Sequence, residues 1–276
     1  MKILESKNLK ITQSGDLVYI QFPKLLACKG IKHVFSTRHG GVSTGDCASM
    51  NLSFNKDTEP QNVIKNFEML CTAVGIDTKN LVLSQQTHTN NVIAVDEEHR
   101  GTGITKPSFC DVDGMVTNKS GVALVTQYAD CTPLVFYDPV KRVIATSHAG
   151  WRGTVQLIGR CTVDKMVKEF GCKPSDIIAG IGPCIGKCCY EVDDPVVEKF
   201  KELDFLKLSD IIFPVGNGKY MLDLVEANRQ ILIYSGIKPE NIDVGDICTC
   251  CNSQDLHSHR ATKGKRGNLA LIIELG

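Results

Sequence analysis

The sequence predicts a mixed α/β (α+β) fold in which packed β-sheets lie in layers flanked by helices, with residues 1–276 forming a single domain. Three observations carry this expectation. Short runs rich in β-branched and aromatic residues outnumber helical patterns. Several of those runs are separated by turns too short to hold a crossover helix, which argues against a doubly wound parallel sheet. The 276 residues are 42% hydrophobic, enough for a sizeable interior, and no internal repeat or low-complexity linker divides them.

Lysine plus arginine and aspartate plus glutamate are equal at 31 each, so the overall charge recruits neither nucleic acid nor an anionic membrane. The basic run 260–266 reads as a solvated loop. No apolar run approaches the roughly 18 residues of a membrane span. Thirteen cysteines, an odd number, follow an opening stretch that lacks the apolar core of a signal peptide. Reduced thiols in the cytoplasm are the expectation.

Taken in order, residues 17–22 and 33–36 read as strands. The loop 38–45 then brings Arg38, His39, three glycines and two hydroxyls together. Such a loop can wrap a polar ligand with backbone amides, although its composition alone describes an ordinary turn. Thr58 caps a helix that starts near Pro60, carries Val63, Ile64, Phe67 and Leu70 on one face, and stops at Gly75. Strands at 81–84 and 91–95 flank a polar junction containing His88, which by itself reads as a surface or capping residue. Asp111 to Gly114 reads as a turn before strands at 115–117 and 122–127.

A hairpin follows, with strands at 134–137 and 143–146 joined by Asp138, Pro139, Val140 and Lys141. The mean of 131 and 148 is 139.5, inside that turn, so a regular ladder puts Cys131 opposite His148 on one face. Opposed side chains have Cβ atoms about 4.5–5.5 Å apart, close enough to share a metal ion. After His148 a helix opens at Gly150 and carries Val155, Ile158, Val163, Met166 and Phe170 to a stop at Gly171. Its first amides, with Arg152 beside them, favour an anion such as phosphate.

A buried strand at 177–181 runs into a cysteine-rich turn. Cys184 with Cys188 or Cys189 has zinc-like spacing, and Cys248, Cys250 and Cys251 are the available second pair. C-x-C-C is not the usual zinc knuckle, so these six read as free thiols. Helices at 194–203 and 222–234 precede a last strand at 269–275. His257 and His259 lie on an extended segment, so at most one points into any site.

His88, Cys131 and His148 are the candidate ligands. Two imidazoles and a thiolate suit zinc, and three protein ligands leave a fourth position open for chemistry. The hairpin ties Cys131 to His148, whereas no spacing ties His88 to either. Without a metal, an opposed cysteine and histidine also make a nucleophile and base, which leaves a cysteine hydrolase as an alternative.

Six motifs occur in a fixed order: Phe35-Ser36-Thr37-Arg38-His39-Gly40-Gly41-Val42-Ser43, Gln85-Gln86-Thr87-His88, Asp111-Val112-Asp113-Gly114, Ala129-Asp130-Cys131-Thr132-Pro133, Ser147-His148-Ala149-Gly150-Trp151-Arg152-Gly153 and Gly182-Pro183-Cys184-Ile185-Gly186. In these the chain, from about residue 30 to its end, resembles the YfiH-type family. That family is also called the multicopper polyphenol oxidase laccase domain and is treated as purine nucleoside phosphorylase. The resemblance implies a layered α/β fold with zinc on His88, Cys131 and His148. It also implies phosphorolysis of adenosine, inosine and methylthioadenosine, together with deamination of adenosine.

Purine nucleosides and phosphate are then the partners, with Arg38, Gln86 and Arg152 as candidates for binding them. Asp130, next to Cys131, would orient a histidine or carry a proton. The tail departs from the family's aromatic-rich ending, since it reads Leu256-His257-Ser258-His259-Arg260 and later Gly267-Asn268. Copper (Cu2+) is the alternative metal, but a multicopper phenol oxidase needs more than the seven histidines present. A non-catalytic zinc-binding module is the reading outside enzymes. Either a monomer or a homodimer is compatible with the sequence.

Overall fold

The computed structural model describes residues 4–57 and 59–276. Side-chain alternation along the strand Leu269–Leu275 explains its layers. Leu269, Leu271, Ile273 and Leu275 enter one hydrophobic cluster while Ala270 and Ile272 enter another, so this strand is buried on both faces and lies inside a sheet.

That sheet has six strands in the order Lys10–Ser14, Leu17–Gln21, Ile31–Ser36, Leu269–Leu275, Ala123–Tyr128 and Leu81–Leu83, antiparallel except for the last pair. A second six-stranded sheet runs Ile242–Val244, Ile178–Ile181, Thr132–Asp138, Val143–Ala149, Gly114–Thr117 and Val92–Ala94, with parallel pairs at both edges. The two sheets face each other across Phe35, Leu124 and Leu271 on one side and Met115, Val135 and Ile144 on the other. The helix Pro60–Val74 covers the outer face of the first sheet with Val63, Phe67 and Leu70. The helices Ile158–Phe170 and Leu224–Tyr234 cover the second with Ile158, Val163, Met166 and Leu232. Helix, sheet, sheet and helix therefore stack as four layers, the mixed architecture the sequence predicts. A small antiparallel sheet of Glu191–Asp193, Lys219–Leu222 and Ile212–Gly216 packs with the helix Asp194–Lys201 around its own cluster.

Several local expectations change. The hairpin exists, but Pro133 stands opposite His148 and Asp138 opposite Val143, because the loop is 139–142. Asp138 closes that loop by accepting the amides of Val140 and Lys141 at 2.8 and 2.9 Å. Cys131 is therefore two residues away from the position across from His148, and it lies just outside the strand. A slip of two residues keeps the same face of the sheet.

The helix expected after His148 is two helices, Trp151–Val155 and Ile158–Phe170, broken where Leu157 adopts a φ of 61°. Gly75 at φ 72° ends the helix Pro60–Val74 as anticipated, whereas Thr58, expected as its cap, lies outside the described residues. Glu59 takes the N-cap position without a side-chain cap bond. The loop 38–45 owes two of its glycines to backbone packing, since a Cβ at Gly40 would overlap Leu17 and one at Gly41 would overlap Ser49, and the third, Gly45, to its φ of 60°. Among the described residues no helix is long and apolar enough to cross a membrane.

Candidate metal centre and its cavity

Three segments deliver the donors to one end of the second sheet. The polar junction between Leu81–Leu83 and Val92–Ala94 passes from one sheet to the other and carries His88 at φ 68°. Asp130, at φ 91°, turns the chain so that Cys131 meets the end of Thr132–Asp138, and His148 projects from Val143–Ala149. Left-handed backbone at non-glycine residues costs on the order of 1–3 kcal/mol each and persists only where surrounding bonds hold it. Asp113 supplies them at the first position, accepting the amides of Thr87, His88 and Thr89 at 3.0, 3.1 and 2.9 Å. Asp130 holds the second itself: its carboxylate accepts the Thr249 hydroxyl and the Arg260 amide, both at 2.6 Å.

The ligating atoms of His88, Cys131 and His148 all lie within 4.8 Å of one another. Cys131 Sγ is 3.7 Å from His88 Nε2, and the two imidazole rings stand edge to face with centroids 4.9 Å apart. Gly150 leaves room for this convergence, since a Cβ there would come within 2.8 Å of His88 Cδ2 and 3.0 Å of Cys131 Sγ. Behind the centre, His148 Nδ1 donates to Asp113 Oδ1 at 2.8 Å. That bond assigns the proton of the neutral ring to Nδ1 and turns the Nε2 lone pair toward Cys131 and His88, the arrangement found behind metal-bound histidines.

Electrostatics reinforce the set. Burial alone would raise the Cys131 thiol, but the charge of His148 and hydrogen bonds from both imidazoles outweigh it and lower the pKa to about 6. Burial would likewise lower His148, yet the Cys131 thiolate and the Asp113 bond hold it up at about 9. Asp113 is opposed by its own burial and still falls to about 2, through the His148 bond and charge and the amides of Thr89 and Thr87. Metal-free, the centre is a thiolate beside an imidazolium.

A cavity of about 440 Å³ opens over the centre. Trp151, Ile185, Tyr190 and Leu224 give it apolar and aromatic walls, and Arg152, Arg260, Arg266 and His259 bring donors and positive charge. The Arg152 guanidinium lies 4.4 Å over the Trp151 ring. Carbonyls of Cys189 and Glu191, at 3.0 and 3.2 Å, hold the Arg260 guanidinium in place.

The residues singled out from sequence divide into two groups. His88, Cys131, Asp130 and Arg152 line this cavity, and His148 completes the donor set. Arg38 and Gln86 stand outside the cavity wall. The Arg38 guanidinium donates to the carbonyls of Ala48 and Ser253, and Gln86 exchanges two bonds with the backbone of Gln127. Asp113, not Asp130, orients a histidine. The basic run read as a solvated loop instead sends Arg260 and Arg266 into the cavity, with His259 beside them, while His257 is buried elsewhere. The only sequence signal for Arg260 and Arg266 was their charge. Asp113 had a fainter one, the glycine after it that lets its strand approach His148's.

The family described as "Multi-copper polyphenol oxidoreductase laccase" matches residues 32–276. The chain is 38% identical over 241 residues to purine nucleoside phosphorylase YlmD of Bacillus subtilis (strain 168), covering 87% of this chain and 86% of that protein. It is 34% identical over 247 residues to adenosine deaminase RL5 from an unknown prokaryotic organism, covering 87% of this chain and 94% of that protein. The solved structure of Bacillus licheniformis hypothetical protein YfiH superposes with a TM-score of 0.90 at 31% identity, over 98% of this chain and all of the other.

Proposed function

Because the chain belongs to the multi-copper polyphenol oxidoreductase laccase family, we propose that it is a zinc-dependent purine nucleoside phosphorylase that also deaminates adenosine to inosine. Its substrates are adenosine, inosine and methylthioadenosine, with phosphate as the second reactant, and it works in the cytoplasm. The observation that carries this reading is the convergence of His88, Cys131 and His148 at the base of a nucleoside-sized cavity. Two imidazoles and a thiolate fit zinc, and Asp113 behind His148 fits a metal-bound histidine. Bound there, zinc supplies an open coordination position that acidifies water toward neutrality or polarises a substrate oxygen. Copper accepts the same donors as a single ion. A multicopper centre finds no support, because five of the seven histidines lie outside the set.

The chain's own residues do the rest. Trp151 and Tyr190 offer ring faces for a purine, and Ile185 and Leu224 exclude water around it. Phosphate is a multiply charged tetrahedral acceptor that the planar fork of a guanidinium can bind through two oxygens, and Arg152, Arg260 and Arg266 bring three guanidiniums to the same cavity. Arg38 and Gln86 support this arrangement from outside by fixing their loops. Asp130, with both oxygens already bonded, positions Cys131.

Chromatography of adenosine incubated with the purified protein, with and without phosphate, tests the reading. Adenine that appears only with phosphate and disappears in Cys131→Ala is the expected outcome, with inosine formed in both conditions. An unchanged product profile in Cys131→Ala would overturn the assignment of the centre. The thiolate and imidazolium pair of the metal-free protein favours one second reading, a cysteine hydrolase with Cys131 as nucleophile and His148 as base. Full activity after complete metal removal would select it.

A further inference from the structure

Four thiols outside the cavity lining, in the turn that carries Ile185 and Tyr190 and in the turn beside it, take no part in the chemistry described so far. Cys188 and Cys189 lie in the turn after Ile178–Ile181, and Cys248 and Cys251 lie in the turn after Ile242–Val244. These strands are parallel neighbours, so both chains leave the sheet at the same end, and a bridge between Cys184 and Cys248 prolongs their pairing. Cysteines about sixty residues apart in sequence are thereby brought together.

The four Sγ atoms all lie within 4.8 Å of one another, and Cys251 Sγ is 3.4 Å from both Cys188 Sγ and Cys189 Sγ. A disulfide needs about 2.05 Å, so these are separate thiols. Four thiolates on one zinc ion, with bonds of about 2.3 Å, occupy the corners of a tetrahedron whose edges are about 3.8 Å. The observed separations, 3.4 Å for two pairs and within 4.8 Å for all, bracket that figure. An iron–sulfur cluster distributes its cysteines over several irons and spreads them further apart.

The surroundings suit a site for thiolates. The Gly186 amide donates to Cys248 Sγ at 3.2 Å and the Cys251 amide to the same sulfur at 3.5 Å. A Cβ at Gly186 would stand 3.3 Å from Cys188 Sγ and 3.5 Å from Cys248 Sγ, so the backbone of this turn runs in close contact with the sulfurs. Cys248 and Cys251 have the C-x-x-C spacing of a zinc knuckle, which the intervening Cys250 disguises in the sequence. Cys184 and Cys250 stand outside the quartet.

We propose that Cys188, Cys189, Cys248 and Cys251 bind a second metal ion, a zinc in a closed tetrathiolate site. Each thiol releases its proton to solvent as the ion binds. Four protein ligands leave no open position, so this ion is structural, in contrast to the three-donor centre. It staples together two turns, the first of which carries Ile185 and Tyr190 into the cavity wall. From these turns Thr249 bonds Asp130, the Ile185 amide donates to the Asp130 carbonyl at 2.9 Å, and the Cys189 carbonyl holds Arg260. Loading of the second site thus sets the position of the wall against the first.

Metal analysis of full-length protein purified without chelators is the test. Wild type should carry two zinc ions per chain, His88→Ala one and Cys251→Ser one. Wild type with a single ion that is lost in His88→Ala and kept in Cys251→Ser would overturn the proposal. So would iron in place of zinc, or a Cys188–Cys251 or Cys189–Cys251 disulfide in peptides from protein kept anaerobic. Should Cys251→Ser fail to fold, cobalt(II) added to reduced, metal-stripped His88→Ala decides. The intense visible bands and near-ultraviolet charge transfer of a tetrahedral four-sulfur cobalt site, saturating at one equivalent, support the site, and a spectrum without thiolate charge transfer refutes it.

Discussion

Cys131 and His148 show how two ordinary residues acquire unusual properties from one another. A cysteine normally becomes nucleophilic only near pH 8.5, but here the neighbouring imidazoles outweigh burial and bring the thiol down to about 6, while His148 rises to about 9. The thiolate therefore exists above pH 6 in the metal-free protein. Alkylation of Cys131 by iodoacetamide should accelerate as pH rises through about 6 and level off beyond it, and stoichiometric zinc should suppress it. Peptide mass spectrometry across pH 5–9 checks this, and a midpoint near pH 8.5 would contradict it. At this scale the sequence exposed the cysteine and histidine pair through the hairpin, whereas His88 was singled out as a candidate but tied to them only by the resemblance. Asp113 was legible only as a turn residue before a glycine, since local sequence does not tell which ring a carboxylate reaches across a strand.

The helix opening at Gly150 joins the sheet to the cavity. Its first residue has an ordinary φ of −66°, so substitution brings no backbone strain, but a Cβ would press on His88 and Cys131. Gly150→Ala should weaken zinc binding on the order of tenfold or more, as disturbances around ligands do, while leaving the melting temperature of the metal-free protein unchanged. Competition with a chromophoric chelator measures the first and calorimetry the second. Elements with chemical punctuation were readable in advance. Pro60 and Gly75 bracket one helix and Gly171 stops another. The break at Leu157 was not readable, because leucine is no helix breaker. It is imposed where one short helix must face the cavity and the next must lie along the sheet. The hairpin register failed for a related reason, since the Asp138 side chain closes a loop one residue further on than the turn pattern suggested.

Across the molecule, stability resides in the layer between the two six-stranded sheets, where Leu271 is fully buried against both. Leu271→Ala should cost about 2–5 kcal/mol, while Val140→Ala, 68% exposed at the hairpin loop, should stay within about 0.5 kcal/mol. Urea denaturation at fixed zinc concentration separates them, and equal midpoints would mean that the sheets do not share this interior. By itself the sequence determined the strand-rich mixed fold, most core strands and helices, and the hairpin that brings Cys131 toward His148, though not its register. Local periodicity, turn chemistry and a single hairpin are enough for these, because each depends on residues close together in the chain. Only the tertiary structure decided that Asp113 backs His148, that Arg260 and Arg266 enter the cavity, and that Cys188 meets Cys251 across 63 residues. Those meetings follow from which strands lie side by side, and strand order is set by burial of whole faces, a global property that no local spacing records.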